Sequence, residues 1–375
     1  MAAPSAMTDA WRSWNGPARL HGIDLARALA VFGMLAAHLL TIEEPFSLSD
    51  PPTWVDLVNG RSSILFATLA GVSIALMTGG RMPHRGARLR VSRRRLAVRA
   101  VVLWAIGMLL TQTGVPIYVI LQAYGILFLL ALPLLTLSAG VLWVIAASVA
   151  LVVPWVLPFL EELPLWTGDA GQMLFFVTGW AYPFPLWIAF VVAGMALGRT
   201  DLRCASVQVM VFAGGVAAAV LGGVLGILVD AAGISQEGTP LASALDGAAH
   251  SGGLVEVVSS GGFAVAVLGA CLLMCRTPLT WIVAPMRAVG SMPLTAYVGQ
   301  VLVWAVVALA IFDTTTDLGA FRDLGLFWWF SAGAVIFCTA WAVFRGQGPL
   351  ESALALLSRR LVPRDDLDRA DRVVT

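Results

Sequence analysis

HGIDLARALAVFGMLAAHLL, residues 21–40, is an apolar run the length of a bilayer, and it carries three side chains that a bilayer disfavours, Asp24, Arg27 and His38. About 18–20 apolar residues in helical form span the hydrocarbon core. Working outward from this stretch, runs bounded by charge or turn residues predict further spans at 60–79, 97–113, 116–137, 139–160, 183–199, 207–229, 256–275, 291–312 and 324–344. The first span itself is set at 22–41. The fold class that follows is all-α: a polytopic membrane helical bundle of about ten transmembrane helices.

Composition points the same way. The 375 residues are 59% hydrophobic and 12% charged, with mean hydropathy +0.86. A soluble domain runs near ~45–50% apolar and ~25% charged, and a lipid-facing helix has no use for charge. The formal net charge of +1 identifies no partner, but its distribution is informative. The 23 Lys and Arg positions are all Arg, eight of them between Arg81 and Arg99. Counted alternately, the clusters at 12–19, 81–99, 199–203, 276–287, 345 and the C-terminal tail fall on one side. The opposite loops (41–58, 114–115, 161–182, 230–255, 313–323) are acid-rich and hold one arginine, Arg322. The positive-inside rule makes the Arg side cytoplasmic and puts both termini there, in a bacterial-type inner (plasma) membrane. The N-terminus lacks a short apolar core ending in a cleavage site, so the first span is expected to be retained.

Three regions are expected along the chain: a cytoplasmic tail at 1–20, a membrane domain at 21–348, and an inner-surface segment at 349–375. In the last, PLESALALLSRRLVP (349–363) suits a short amphipathic helix with Pro at its start, and the polar remainder is expected to be disordered. The segment 276–290, broken by Pro and Arg, suits an interfacial or re-entrant piece. Gly194 with Gly198, and Gly222 with Gly226, have the spacing that lets membrane helices approach closely. Cys204 falls in a cytoplasmic loop, and Cys271, Cys275 and Cys338 in spans. Two thiols on one helix face without a neighbouring His make a poor metal site, so no metal is expected. There is no nucleotide-binding glycine loop, no zinc-protease motif and no internal duplication.

An ionisable group inside a span costs ~2.5–3.5 kcal/mol on insertion scales and asks for a reason. Asp24, Arg27, Val31, Leu35 and His38 share one helical stripe, with Asp24 and Arg27 close enough to pair. His38 stands ~21 Å along the axis from Asp24. Asp24 and Arg27 read either as a snorkelling end pair or as a functional mouth, and His38 as a functional group or a hydrogen-bonded interfacial histidine. At the outer end of the second span, Arg61 stands among Asp56, Asn59, Ser62 and Ser63, and needs an acid such as Asp56 or an anionic ligand. His38 and Arg61 belong to consecutive helices meeting at one membrane face, which makes them candidate neighbours: a near-neutral imidazole beside a cation that can steady negative charge. Gln122 and Tyr124 in LQAYGILFLL, and Thr295, Tyr297 and Gln300 in SMPLTAYVGQ, are either interhelical glue or pocket lining. His250, in DGAAHSGG, is a plain loop histidine or a group serving the outer face. His21 and His84 are read as surface residues. The cytoplasmic arginines either anchor the loop to anionic lipid or hold the phosphates of a nucleotide-bearing donor.

RLHGIDLARALAVFGMLAAHL followed by NGRSSILFATLAGVSIAL resembles the opening of the YeiB-like membrane proteins, which group with the heparan-alpha-glucosaminide N-acetyltransferases in a transmembrane acyltransferase superfamily. LQAYGILFLLALPL, GRTDL, HSGG, GFAVAVLG, GSMPLTAYVGQ and FRGQGPLE extend the resemblance in order over residues 19–361. It implies an acyl-CoA, typically acetyl-CoA, entering as co-substrate from the cytoplasm, its pantetheine arm reaching through the bundle. The acyl group would pass to an amine or hydroxyl of an envelope glycan, glycolipid or small molecule at the outer face. The glycosaminoglycan-modifying branch has an Asn fourteen residues after its first-helix Asp, the spacing at which His38 follows Asp24, and a catalytic histidine in the next loop. Here that loop, LTIEEPFSLSDPPTWVD, has no histidine, and the family's Asp-x-x-Arg-Gly becomes Asp24-x-x-Arg27-Ala28. His38 is then the candidate base and Arg61 the oxyanion-stabilising group, with Asp24 and Arg27 shaping the donor portal. The expected partners are the lipid bilayer, the donor and the acceptor, with a homodimer as a further option and no nucleic acid. The competing reading is a permease or channel using the same polar stripe, with a family member lacking catalysis as the third; donor binding discriminates them.

Overall fold

Where backbone polar groups meet lipid, only structures that satisfy every N–H and C=O internally survive, and an unbroken helix does so within one segment. The computed structural model, which describes residues 6–17, 19–42, 46, 47, 49–234 and 238–363, is accordingly helical. Among the described residues the one non-helical pairing is an isolated bridge between Ser47 and Asp50. In chain order the helices are Ala6–Asn15 (α1), His21–Leu39 (α2), Arg61–Met77 (α3), Gly86–Thr111 (α4), Leu121–Ala131 (α5), Ala139–Glu161 (α6), Gly168–Thr178 (α7), Phe184–Gly198 (α8) and Ala205–Ala231 (α9). Then come Pro240–Leu245 (α10), Leu254–Met274 (α11), Leu279–Ile282 (α12), Ala284–Ser291 (α13), Pro293–Phe312 (α14), Leu318–Asp323 (α15), Phe327–Arg345 (α16) and Pro349–Leu361 (α17).

Among the described residues seven helical segments are long and apolar enough to cross a membrane: α2, α3 with the turn before it, α6, α9, α11, α14 and α16. Two more, α5 with its 3-10 extension and α8, are apolar but shorter, and α4 carries the arginines in its first half. These ten helices coincide with the ten expected spans, and the protein is a multi-pass membrane protein. The segment 276–290 does not cross. It forms α12 and α13, and α13 is tucked in so that Arg287, Ala288 and Val289 are buried. The tail 364–375, expected to be disordered, lies outside the described residues.

Burial sorts the helices into a centre and a rim. The span of α2 is 72% buried against protein and that of α16 only 11%; the apolar surfaces of α6, α9 and α16 therefore face lipid, where they need no cover. Small residues permit the central contacts. Gly194 of α8 lies against the Thr68 carbonyl of α3, and Gly71 of α3 against the Val191 carbonyl of α8. Gly222 lies on Ser259 of α11. Backbones that approach this closely gain van der Waals contact where lipid offers no hydrophobic drive.

The arginine-bearing segments gather at one end of the bundle. Arg81 pairs with Asp201 at 3.1 Å, Arg203 donates to Pro17 O, Arg276 donates to Arg203 O, and Arg95 donates to Val362 O at 2.9 Å. Arg199 is buried and donates to the carbonyls of Ala75, Gly80 and Leu135 and to Thr78 Oγ1. It thus neutralises helix C-termini that would otherwise leave carbonyls unsatisfied. The opposite end is closed by Tyr182 donating to Tyr118 O and Arg322 donating to the carbonyls of His38 and Ala37.

Gly194→Leu is expected to force α3 and α8 apart and lower stability by about 1–3 kcal/mol, as overpacking does, read as a lower thermal midpoint in detergent. Gly214→Leu, on a face of α9 with open space, is expected to leave the midpoint where it was.

Candidate functional site

The charged end of α2 is a buried relay. Asp24 is 2% exposed and accepts from Arg19 Nε at 2.5 Å and from Arg27 at 3.0 Å. Arg27 turns its other nitrogen to Ser73 Oγ at 2.6 Å, and Ser73 donates back to Leu69 O. A buried carboxylate is tolerable only when paired and hydrogen-bonded in this way. The consequence is positional: Arg27 is held at the edge of a cavity.

That cavity, about 320 Å³, lies among α3, α4, α5, α14 and α17. Arg27, Arg99 and Glu351 stand at the end near the arginines, Leu69, Leu103 and Phe128 form apolar walls, and Tyr124 and Tyr297 line it further in. A second cavity, about 570 Å³, adjoins it and shares Met77 and Arg99. It is strongly basic, lined by Arg88, Arg95, Arg99 and Arg359 with His84 beside them. The amphipathic helix α17 contributes to both, and Glu351 fastens it: its carboxylate accepts from the backbone N–H of Leu294 and Thr295 and from the Thr295 hydroxyl. Thr295 is thereby an anchor for α17 rather than a cavity wall.

Toward the middle of the bundle several polar atoms lack partners. Tyr124, stacked between Phe66 and Phe128, has a buried hydroxyl with no hydrogen bond, as have Gln122 Oε1, Gln300 Nε2 and Trp304 Nε1. Gln122 uses its amide nitrogen on Thr111 Oγ1 at 2.6 Å, and Tyr297 accepts from Ile120 N–H at 3.4 Å. Leaving such groups unpaired costs about 1–3 kcal/mol each; of the four, Tyr124 lines a cavity, where a polar atom of a ligand or water can satisfy it.

At the far end, His38 is partly buried and sits edge-on to Trp304, 6.4 Å between ring centroids. Arg61 donates to the Asp56 carbonyl at 3.3 Å and lies over Phe263. The Asp56 carboxylate is used elsewhere, accepting from Phe46 N–H and Asn59 Nδ2. Among the described residues no carboxylate pairs with Arg61, and no hydrogen bond or ring contact joins Arg61 to His38. The loop before α11 approaches both regions. Ala249 packs on Gly60, and the His250 ring leans on Tyr182 at 5.7 Å within electrostatic reach of His38.

Sequence inspection missed Glu256, Tyr182, Ser73 and Glu351 as participants. Glu256 is the most consequential: it is 4% exposed and accepts from His250 N–H at 2.6 Å and Gly252 N–H at 2.8 Å. Its signal was present, an acid in the first turn of the apolar run LVEVVSS. His21, expected at the surface, is instead half-buried with Nε2 enclosed, because it opens the most deeply buried span. His84 is also only partly exposed and bonds Ser92 Oγ at 2.8 Å.

A polytopic helical bundle in which a basic cavity adjoins an apolar-walled one defines a multi-pass membrane protein. Residues 19–221 match the family model described as heparan-alpha-glucosaminide N-acetyltransferase, catalytic, and residues 216–360 match one described as a protein of unknown function, DUF418. No curated protein matches the chain. The first match covers more than half of the sequence, and the chain belongs to the heparan-alpha-glucosaminide N-acetyltransferase catalytic family, with a YeiB-like second part.

Two histidines outside the spans give a pH signature. Protein packed around His250 lowers its pKa below the ordinary 6.5 even though the residue reaches the surface, and burial beside Arg88 does the same for His84. Below pH 6.5 the unfolded chain then binds protons that the folded one resists, so stability falls as pH drops. The thermal midpoint is expected to be level from pH 8 to 7 and to decline below 6.5, with a shallower decline in His250→Asn.

Proposed function

We infer that the protein is an integral-membrane acyltransferase that moves an acyl group, acetyl by family, from cytoplasmic acyl-CoA to an amine or hydroxyl at the outer face. The observation that carries this is the pair of adjoining cavities at the arginine end. Coenzyme A is a nucleotide with several phosphates joined to a slim, amide-bearing arm that ends in the thioester. Arg88, Arg95, Arg99 and Arg359 suit the phosphates, and the apolar-walled cavity beyond Arg27 suits the arm. The unpartnered Tyr124 hydroxyl on that cavity's wall is a donor for its carbonyls. Positive charge on that end favours the cytoplasmic side, where acyl-CoA is made. The acceptor class is a glycan, glycolipid or small molecule of the cell envelope.

At the far end of α2, His38 is the general base toward the acceptor; Arg61, expected beside it, lies instead over Phe263 and is given no part in the step. The nucleophile bonds to the carbonyl carbon, the C–S bond breaks, and the proton taken by His38 ends on the departing sulfur. Asp24 fixes Arg27 at the donor portal.

Acetyl-CoA is expected to raise the thermal midpoint of the detergent-solubilised protein, by about 2.7 kcal/mol of stabilisation at a hundredfold excess over Kd. Arg88→Ala with Arg359→Ala, side chains with no hydrogen bond among the described residues, should weaken that shift strongly. No shift with any acyl-CoA, together with solute uptake in proteoliposomes, would establish a permease instead.

His38→Ala is expected to reduce acetyl transfer by purified protein ~10²–10⁴-fold while the acetyl-CoA shift persists. Unchanged transfer would remove His38 from the chemistry.

A further inference from the structure

Between α6 and α9 the bundle holds a groove. α6 rests on α8 and α9 on α11, and glycine sets how closely α9 lies: Gly215 meets Ala266 of α11, and Gly262 of α11 meets Ala219. α9 is thereby drawn onto α11 and away from α6. The space between them is a cavity of about 540 Å³. Its floor is made of small residues, Ala193 on α8, Gly214 and Ala218 on α9, and Gly261 on α11. Trp143 of α6 and Met210 of α9 stand at its rims and are exposed, so it opens sideways to lipid. It shares no lining residue with the two cavities assigned to the donor.

The groove has the form of a chain. Ala189 to Thr200 on α8 and Val207 to Ala218 on α9 line it, in each case a rise of about 16 Å along the helix. Half of the ~30 Å hydrocarbon core of a bilayer is about that length. Its two hydroxyls, on Thr68 and Thr200, are spent on the backbone of their own helices, so the lining asks for an apolar occupant. Thr200 and Val207 bound its end nearest the arginines, on either side of the turn between α8 and α9. Within and beside that turn, Arg203 donates to Pro17 O, Arg276 donates to Arg203 O, and Asp201 pairs with Arg81. Three guanidinium groups and one carboxylate therefore stand where a chain leaves the groove, next to the N-terminus of α9, and all but the carboxylate favour an anion.

We propose that this groove is a lipid site. It takes one acyl chain of a phospholipid from the leaflet at the arginine end, and the anionic headgroup of that lipid rests against Arg203 and Arg276. Side chains alone do not fill the groove, and a wall with no neighbour loses its dispersion contacts outright; the chain supplies them and ties α6 to α9. The floor helix α8 also carries Gly194, which lies on the Thr68 carbonyl of α3. A chain in the groove therefore braces the central α3–α8 contact from its lipid side. The site stands apart from the donor cavities, and its occupancy does not depend on the acyltransferase reading.

The test uses full-length protein delipidated in detergent and three lipids. These are palmitoyl-oleoyl phosphatidylglycerol, palmitoyl-oleoyl phosphatidylcholine, and dihexanoyl phosphatidylglycerol, which keeps the anionic head without a long chain. The first is expected to raise the thermal midpoint and to stay bound in native mass spectrometry, with higher apparent affinity than either of the others. Gly214→Phe puts a ring into the groove from a position where an added Cβ meets nothing. The midpoint without lipid should stand, while affinity for long-chain phosphatidylglycerol falls about tenfold, the worth of roughly two buried methylenes. Ala147→Phe, from the exposed rim on α6, should act in the same way. Arg203→Ala with Arg276→Ala should abolish the preference for the glycerol over the choline head and keep the need for a long chain. The acetyl-CoA shift should persist in all three variants. Undiminished affinity in both groove variants overturns the site and moves the lipid to the basic cavity. Equal binding of the short-chain and long-chain lipids overturns the chain assignment, and equal binding of the two long-chain lipids by wild type overturns the anionic head. Absence of any lipid-dependent shift or adduct in wild type overturns the proposal as a whole.

Discussion

The Asp24 carboxylate, sealed between Arg19 and Arg27, is the interaction on which the inner half of the structure hangs. In hydrocarbon neither charge could stand alone, and removal of one partner from such a pair typically costs 3–5 kcal/mol. Because Asp24 satisfies two guanidinium groups, the span of α2 can begin with charges and still be the most buried of the bundle. Because Arg27 also reaches Ser73, α2 is locked to α3 at the level where the apolar cavity opens. Gly290 lets α13 lie directly on the Asp24 backbone, which closes the same region from the other side. One electrostatic knot thus sets the relative height of three elements and aims a cation at the cavity.

Beside that knot the two cavities differ in character. Arginines line one, and apolar side chains wall the other, where the Tyr124 hydroxyl is unpaired; His38 stands at the opposite end of α2. The family match agrees at the coarse level, a membrane acetyltransferase family, while the finer assignments rest on the residues themselves.

Much of the fold was legible because the bilayer is an unforgiving solvent. A span must be apolar and about twenty residues long, so its limits show in the sequence, and segregation of Arg told which ends meet. The re-entrant α13 was legible for the converse reason, since Pro285 and Arg287 forbid a crossing. Charges inside spans announced Asp24, Arg27 and His38 for the price they exact. What could not be read was rotation about each helix axis. Sequence adjacency suggested Arg61 as the guanidinium beside His38, whereas the folded chain gives Arg322 to the carbonyl end of α2 and lays Arg61 over Phe263. Helical periodicity defines which residues share a face, but only tertiary packing decides what that face meets. Glu256 escaped for a related reason: at the first turn of α11 it could pass for a loop acid, and its value lies in hydrogen bonds to a loop whose backbone course no pattern predicts.

The loop 41–58 has no histidine, but the loop 246–253, from the other part of the protein, brings the imidazole of His250 within electrostatic reach of His38. Supplying it there has a physical cost, a left-handed residue, and the buried Glu256 is what offsets that cost. The same carboxylate would be hard to justify otherwise, because among the described residues it makes no salt bridge, and burying such an acid at the edge of a span is favourable only when hydrogen-bond donors saturate it. Three donors do so here, and the carboxylate and the strained histidine explain each other.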